Sequence, residues 1–128
     1  DDFTRRCISD YDVRTPGPQA EAGALSGGNL QKFIVGREME LAPKLFFVSQ
    51  PTWGVDIGAA TEIRRRLVDM RNAGAAVLVI SDEIEELFDI CDRIQVIREG
   101  RLSPSLTVSE TRVEEVGRYM IGAEEGAA

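Results

Sequence analysis

The sequence predicts an α/β fold with a largely parallel sheet and flanking helices. Stretches with apolar residues at helical spacing alternate with short apolar runs. Each run has the length and composition of a strand covered on both faces. This alternation is typical of parallel sheets that pack against helices. A chain of 128 residues buries roughly two-thirds of its unfolded surface, which is enough for one modest core.

The composition excludes several classes of function. The chain has no histidine, which removes imidazole bases, histidine metal ligands and Ser-His-Asp or Cys-His nucleophile pairs. A formal net charge of -7 predicts poor binding to nucleic-acid phosphates. Cys7 and Cys91 are too few for a metal cluster or a disulfide scaffold, and we expect both to be reduced core thiols. We expect no membrane-spanning helix, because no apolar run reaches roughly 20 residues, and no signal peptide.

The first 24 residues predict a short helix followed by a loop. Phe3, Cys7 and Ile8 are spaced like the apolar stripe of an amphipathic helix. Two prolines and a glycine in Thr15–Pro18 then enforce an extended turn. We therefore expect residues 1–24 to lack a strand and a compact core of their own.

Two helices and two strands are predicted in the middle of the chain. A helix begins at Ser26 and is ended by Pro43. Apolar runs at 45–48 and 76–80 predict buried strands, and a second helix between them stops at 72–74. The apolar stripes expected to face the core are Leu30, Phe33, Ile34 and Leu41 on the first helix, and Ala60, Ile63, Leu67 and Met70 on the second.

The last third of the chain predicts a helix, a hairpin and a final helix. Asp82 and Glu85 have the spacing of a capping box at the start of a helix. Residues 93–98 predict a strand that turns at 99–100 and returns as 102–106. The same capping spacing recurs before the last helix, at Thr111 and Glu114.

The stretch Leu25–Lys32 is the most informative part of the sequence. Gly27 and Gly28 at a helix start let backbone N–H groups approach an anion, and the Ser26 hydroxyl adds a donor. The helix dipole also favours negative charge there. The alternative is an ordinary serine and glycine helix cap. In open parallel sheets ligands bind at the carboxyl ends of the strands, which here are 49–50 and 81–82.

The order of motifs from Leu25 onwards resembles the C-terminal portion of an ATP-binding cassette (ABC) ATPase. The resemblance is strongest to the second cassette of tandem proteins that energise sugar and nucleoside importers. Leu25–Asn29 resembles the signature motif of the family, with Asn in place of the commoner Gln. Phe46–Gln50 resembles the Walker B strand, Gly54–Asp56 the D-loop and Val79–Asp82 the switch strand.

The resemblance implies a partial P-loop-NTPase-like fold from which the N-terminal phosphate-loop half is absent. No G-x-x-x-x-G-K-[ST] occurs in the sequence. It implies the cassette part at 25–122, preceded by the helix and loop at 1–24 and followed by a tail at 123–128. It also implies ATP and Mg2+ as cofactors of the complete protein, with no tight ATP binding by this chain.

The resemblance also assigns the candidate site residues. ABC cassettes pair head to tail, so Ser26, Gly27, Gly28 and Asn29 would contact the γ-phosphate of ATP held by the partner cassette. Asp56 in the D-loop would reach across the dimer interface. Capping of the following helix is an alternative role for Asp56, and one role does not exclude the other.

Several positions depart from the family pattern. The Walker B strand ends in Ser49-Gln50 instead of Asp-Glu, and an amide orients water but accepts no proton from it. Asp82 replaces the switch histidine. A carboxylate about 4 Å from a phosphate charge costs on the order of 4 kcal/mol, whereas a helix cap gains about 1 kcal/mol, so we expect Asp82 to be a cap. Trp53 is expected to pack or to contact the partner cassette. No catalytic residue or metal ligand is assigned.

The function implied is that of an ATP-binding subunit of an importer for sugars or nucleosides. This half would supply the signature motif in trans while its own site is degenerate. The implied partners are a second cassette, membrane permease subunits and a periplasmic or lipoprotein solute-binding protein, with no nucleic acid. The implied location is the cytoplasmic face of the membrane. Two alternatives remain: an ABC ATPase of DNA repair or chromosome structure, and a non-enzymatic interaction module.

Overall fold

The computed structural model describes residues 2–123. The chain divides into two compact units, the first ending at Ser81 and the second beginning at Asp82. Within the described part of the chain no helix is both long enough and apolar enough to cross a membrane. The predicted tail at 123–128 lies outside the described residues apart from Ala123.

The first unit contains three helices and a parallel pair of strands. Strand β1 pairs with β2 in parallel, from Leu45 opposite Ala76 to Ser49 opposite Ile80. The predicted parallel pairing of these strands is therefore confirmed. The elements of this unit are α1 (Asp2–Asp10), a 3-10 turn (Ala22–Ala24), α2 (Gly27–Glu40), β1 (Leu45–Ser49), α3 (Ile57–Asn72) and β2 (Ala76–Ile80).

The helix boundaries of this unit follow the expected signals. Helix α2 begins directly after Ser26 and ends before Pro43. Helix α3 begins after Asp56, whose carboxylate accepts a hydrogen bond from the Ala59 N–H at 2.9 Å. Gly74 follows α3 with a φ of +100°, a conformation that favours glycine. The predicted capping role of Asp56 is confirmed.

The buried face of α2 is not the predicted one. Its buried positions are Lys32, Val35, Gly36 and Met39, whereas Ile34 and Leu41 are exposed. The predicted apolar stripe was therefore wrong for Ile34 and Leu41, whereas Leu30 and Phe33 are partly buried. The cause is close packing with the segment after α1, because a Cβ on Gly36 would lie 2.6 Å from the Tyr11 ring. A glycine and a lysine occupy two of the four buried positions, which makes this face less apolar in the sequence than the predicted stripe. The core also contains Cys7, Val13, Phe46, Ile63 and Leu67.

One face of the parallel strand pair is exposed. Phe46 has 5% of its surface exposed, whereas its neighbour Phe47 on the opposite face has 61%. Leu45, Leu78 and Ile80 are exposed as well. The prediction that these strands are covered on both faces was therefore wrong for this chain. A run of apolar residues shows that a strand is suited to two covering layers, but it does not show that this chain provides both.

The second unit contains two helices and short antiparallel strand pairs. Strands β4 and β5 form the predicted hairpin around 99–100, with Ile97 opposite Leu102. The prediction of one continuous strand over 93–98 and another over 102–106 was wrong, because each is divided into two short strands. Strand β6 pairs with β3, which places Leu106 opposite Ile94. The elements are α4 (Ile84–Ile90), β3 (Arg93–Ile94), β4 (Ile97–Arg98), β5 (Arg101–Leu102), β6 (Leu106–Thr107), a 3-10 turn (Val108–Glu110) and α5 (Val113–Ile121).

Both helix caps predicted in the second unit are displaced by one residue. Helix α4 has Glu83 rather than Asp82 at its N-cap, and Asp82 is an exposed residue before the helix. Helix α5 has Arg112 at its N-cap, while the Thr111 hydroxyl donates to the Thr107 carbonyl at 2.7 Å. The capping prediction for Asp82 was wrong because a side chain caps only from the position that directly precedes the first helical residue.

The two cysteines differ in burial. Both are free thiols, Cys7 fully buried and Cys91 partly buried. Burial raises the pKa of both thiols, so they stay protonated at neutral pH. The expectation of a core thiol holds for Cys7, while Cys91 is only partly buried.

Candidate functional site

The start of α2 is an exposed set of hydrogen-bond donors. Ser26 has an extended backbone, with φ −61° and ψ 155°, and its carbonyl accepts the first helical bond from the Leu30 N–H at 2.8 Å. The N–H groups of Gly27, Gly28 and Asn29 lie in the first turn of the helix, where no helical carbonyl stands four residues earlier to accept from them. Ser26 and Gly27 are exposed. This helix start can therefore donate several hydrogen bonds to an anion.

The Ser26 hydroxyl does not cap the helix. Within residues 2–123 its side chain makes no capping hydrogen bond. Instead the Asn29 Nδ2 donates to the Ser26 Oγ at 2.9 Å, and the Arg14 N–H donates to the Asn29 Oδ1 at 2.9 Å. The alternative of an ordinary serine cap is therefore wrong for the side chain.

The two glycines of this helix start have different surroundings. A Cβ on Gly28 would lie 2.7 Å from the Gly54 carbonyl oxygen, so only glycine allows this approach without a shift. A Cβ on Gly27 would meet no described atom within 4 Å. Gly28 is thus required for packing against the turn after β1, and Gly27 leaves open space beside the exposed N–H groups.

Gln31 fixes the residues that follow β1. We call Gln50–Asp56 the 50–56 turn. The Gln31 Nε2 donates to the carbonyls of Gln50 at 2.9 Å and Pro51 at 3.1 Å. Gln50 has a φ of +50°, and its N–H donates to the Ile80 carbonyl at 2.7 Å. The backbone of this turn is therefore held by both α2 and β2.

Lys32 connects α2 to the far end of the 50–56 turn. Its side chain is only 8% exposed, and its Nζ lies 3.3 Å from the Asp56 carboxylate and 3.6 Å from that of Asp12. The Nζ also donates to the Asp12 carbonyl at 3.3 Å. The pKa of Asp56 is lowered, first by the hydrogen bond from the Ala59 N–H and then by Lys32. Asp56 is thus an anchored carboxylate at the start of α3.

Sequence reasoning missed Lys32, although a signal was present. Lys32, Val35, Gly36 and Met39 follow the i, i+3, i+4, i+7 spacing of one helix face. A lysine in such a stripe needs an acidic partner to be buried. Asp12 and Asp56 supply it, but only the fold brings them within reach.

Arg66 is a second basic side chain that packs inside the first unit. A basic run such as Arg64–Arg66 predicts a solvated helix face, but the Arg66 guanidinium stacks on the Tyr11 ring, 4.2 Å from its centroid. It donates to the Asp10 carbonyl at 2.9 Å and to the Glu62 carboxylate at 2.7 Å. Hydrogen bonds first from Arg65 and then from Arg66 lower the pKa of Glu62 to about 2.

The remaining candidate residues take separate places. Ser49 is the last residue of β1 and Gln50 follows it. Because one side chain is a hydroxyl and the other an amide, neither provides a carboxylate at this strand end. Trp53 is 72% exposed in the 50–56 turn, so it does not pack inside the first unit, and the expected contact with a partner cassette stays a prediction. Asp82 lies in the second unit and is exposed. Ser26–Asn29, Gln50 and Asp56 are the candidates that the first unit brings together around α2.

The sequence is similar to ATP-binding proteins of importers. It is 47% identical over 119 residues to the guanosine import ATP-binding protein NupO of Bacillus subtilis, covering 93% of this chain and 23% of that protein. It is 43% identical over 118 residues to the nucleoside import ATP-binding protein NupA of Lactococcus lactis, covering 92% and 23%. It is 40% identical over 122 residues to the ribose import ATP-binding protein RbsA 2 of Rhizobium etli, covering 95% and 23%. The chain thus spans about a quarter of these relatives. No protein-family model matches it.

The fold matches solved ABC cassettes. The ATP-binding cassette MJ0796, in a dimer bound to ADP and Pi, superposes with a TM-score of 0.73 at 20% identity, covering 84% of this chain and 46% of the cassette. The ATP-binding subunit of an ABC transporter superposes with a TM-score of 0.74 at 17% identity, covering 94% and 61%. The chain is therefore homologous to the ATP-binding proteins of sugar and nucleoside importers, and its fold is part of an ABC ATPase cassette.

Proposed function

We propose that the chain is part of the ATP-binding subunit of a nucleoside or sugar importer, and that the start of α2 contacts ATP held by a partner cassette. The observation that carries this proposal is the Ser26–Asn29 helix start, in which Ser26 and Gly27 are exposed and the first N–H groups precede the helical hydrogen-bond ladder. The names of the relatives, which are guanosine, nucleoside and ribose import proteins, support the substrate class.

The start of α2 fits a terminal phosphate group. The N–H groups of Gly27 and Gly28 lie at the N-terminal end of α2, where the helix dipole favours negative charge. The Ser26 hydroxyl does not cap the helix. The open space beside Gly27 admits a phosphate oxygen close to the backbone. Bound ATP would supply the phosphoryl group that is transferred to water. The residues of this chain would hold that phosphate and neutralise part of its charge.

The strand end beside this helix does not fit a hydrolytic site of its own. Mg2+ prefers carboxylate and phosphate oxygens, and Ser49-Gln50 has no carboxylate. Gln50 has no side-chain group that accepts a proton from water at neutral pH. We therefore propose that the site built on β1 of this chain is degenerate, and that the chain acts on ATP mainly in trans.

The exposed face of β1 and β2 is assigned to the rest of the cassette. Phe47, Leu45, Leu78 and Ile80 form an apolar surface that a second layer of a cassette would cover. The 46% coverage of a solved cassette is consistent with a further part of the domain. We propose residues 25–122 as the cassette part, with 1–24 and 123–128 as flanking segments.

The proposed partners follow from the same assignment. They are a second cassette, permease subunits and a solute-binding protein, and the location is the cytoplasmic face of the membrane. The relatives named above are importer proteins, so the alternatives of a DNA-repair ATPase and of an interaction module receive no support from them.

Calorimetric titration of the 128-residue chain with Mg-ATP tests the proposed division of labour. Because the sequence has no phosphate loop, we expect no binding in the sub-micromolar range. A full cassette of a related importer, which carries a phosphate loop, is the positive control. Sub-micromolar affinity of this chain would place a complete phosphate site within it and would contradict an action mainly in trans.

A further inference from the structure

We infer that Asn29 is a positioning residue that turns the Ser26 hydroxyl into a hydrogen-bond donor towards the bound phosphate. The inference rests on the proposed function, because it concerns the same phosphate contact. It assigns to the side chain of Asn29 a role that differs from direct contact with ATP.

The orientation of the Asn29 amide is fixed by its backbone partner. The Arg14 N–H is a donor only, so the group that faces it at 2.9 Å must be the Asn29 carbonyl oxygen. The Asn29 NH2 group is then the one that lies 2.9 Å from the Ser26 Oγ. The loop before α2 therefore determines which end of the amide reaches the serine.

The amide in turn determines the direction of the serine proton. A hydroxyl has one hydrogen, and an oxygen that accepts from Asn29 directs that hydrogen elsewhere. The N–H groups in the first turn of α2 are donors and cannot accept it. The exposed Ser26 hydroxyl is thus set to donate outwards, in the same sense as the N–H groups of Gly27 and Gly28. Hydrogen bonds to an anion gain most from such prior orientation.

A double-mutant cycle separates this role from a structural one. Asn29→Ala removes the amide that orients Ser26, but it also removes the tie to Arg14. If Asn29 acts through Ser26, the Asn29→Ala change has little further effect once Ser26→Ala has removed the hydroxyl. If Asn29 acts only by holding the loop at Arg14, its effect is the same in both backgrounds.

The measurement is the steady-state ATPase kcat and KM for Mg-ATP of the complete ATP-binding protein that contains this chain, assembled with its partner cassette. We expect Ser26→Ala to lower kcat at least tenfold and Asn29→Ala to lower it about fivefold to tenfold. In the Ser26→Ala background, Asn29→Ala should change kcat less than twofold. Asn29→Gln, which keeps an amide, should retain at least half of the activity.

Folding controls keep the outcomes distinct. Asn29→Asp retains an acceptor for the Arg14 N–H but replaces the donor to Ser26, so it should melt like the parent and still lose activity. Equal losses from Asn29→Ala in both backgrounds would overturn the positioning role and leave the proposed phosphate contact intact. An unchanged kcat for Ser26→Ala would overturn the phosphate contact and the inference together.

Discussion

The Lys32 ammonium of α2 lies 3.3 Å from the Asp56 carboxylate at the start of α3. The 50–56 turn contacts α2 at three further residues. Gln31 donates to the Gln50 and Pro51 carbonyls, and Gly28 closely approaches Gly54. The helix start that resembles the signature motif and the turn that resembles the D-loop are therefore held together by direct contacts.

Removing Lys32 should raise the pKa of Asp56. In Lys32→Met the ammonium is lost, but the hydrogen bond from the Ala59 N–H, which lowers the pKa most, remains. We expect a partial return towards the ordinary aspartate pKa, measured by carboxyl carbon chemical shifts against pH. Lys44→Met, which removes an exposed lysine, is the matched control. An identical Asp56 titration in Lys32→Met would show that the ion pair does not form in solution.

The two glycines of the helix start should respond oppositely to alanine. Gly28→Ala places a Cβ 2.7 Å from the Gly54 carbonyl oxygen, and the overpacking should cost about 1–3 kcal/mol of unfolding free energy. Gly27→Ala meets open space in the described structure and should be neutral or stabilising by up to about 1 kcal/mol. Urea unfolding of both variants measures the difference. Equal effects would refute the close contact of Gly28.

The acid sensitivity of the chain should depend on Glu62. Its pKa falls from 4.5 to about 2 in the folded chain because Arg65 and Arg66 donate to it. A folded pKa below the unfolded one means that the stabilisation is present above pH 4.5 and is lost as the pH falls towards 2. Unfolding midpoints at pH 6 and pH 3 should therefore differ less in Glu62→Gln than in the parent.

Glu21→Gln is the control for this comparison, because Glu21 is exposed and its side chain makes no capping hydrogen bond in the described part of the chain. Its change in midpoint between the two pH values should equal that of the parent. A Glu62→Gln variant with the same change as the parent would show that the Arg65 and Arg66 contacts do not determine acid stability.

Local signals in the sequence predicted most of the fold of the first unit. Pro43, Asp56 and Gly74 act on their immediate neighbours, so their effect on helix boundaries can be derived without tertiary structure. The parallel pairing of β1 and β2 followed from the alternation of helices and strands. These elements carry the candidate site residues that the sequence also predicted.

What the sequence did not predict depends on contacts distant along the chain. The buried face of α2 is set by Tyr11 against Gly36 and by Asp12 and Asp56 around Lys32, and each of these contacts joins residues that are distant in the sequence. Arg66 similarly differs from its neighbours in the basic run because its guanidinium stacks on Tyr11 and donates to the Asp10 carbonyl. The predicted caps of α4 and α5 were displaced by one residue because the observed N-cap positions hold Glu83 and Arg112, which are not preferred capping residues.

We propose that the start of α2 acts on ATP held by a partner cassette, while the chain's own strand end is degenerate. The most direct measurement is the ATPase rate of the complete protein with Ser26→Arg compared with Gln50→Ala. Ser26→Arg fills the exposed phosphate contact and should abolish activity. Gln50→Ala should leave most of it, because the Gln50 carbonyl, and not its side chain, accepts from Gln31. Equal losses from the two variants would contradict the claim.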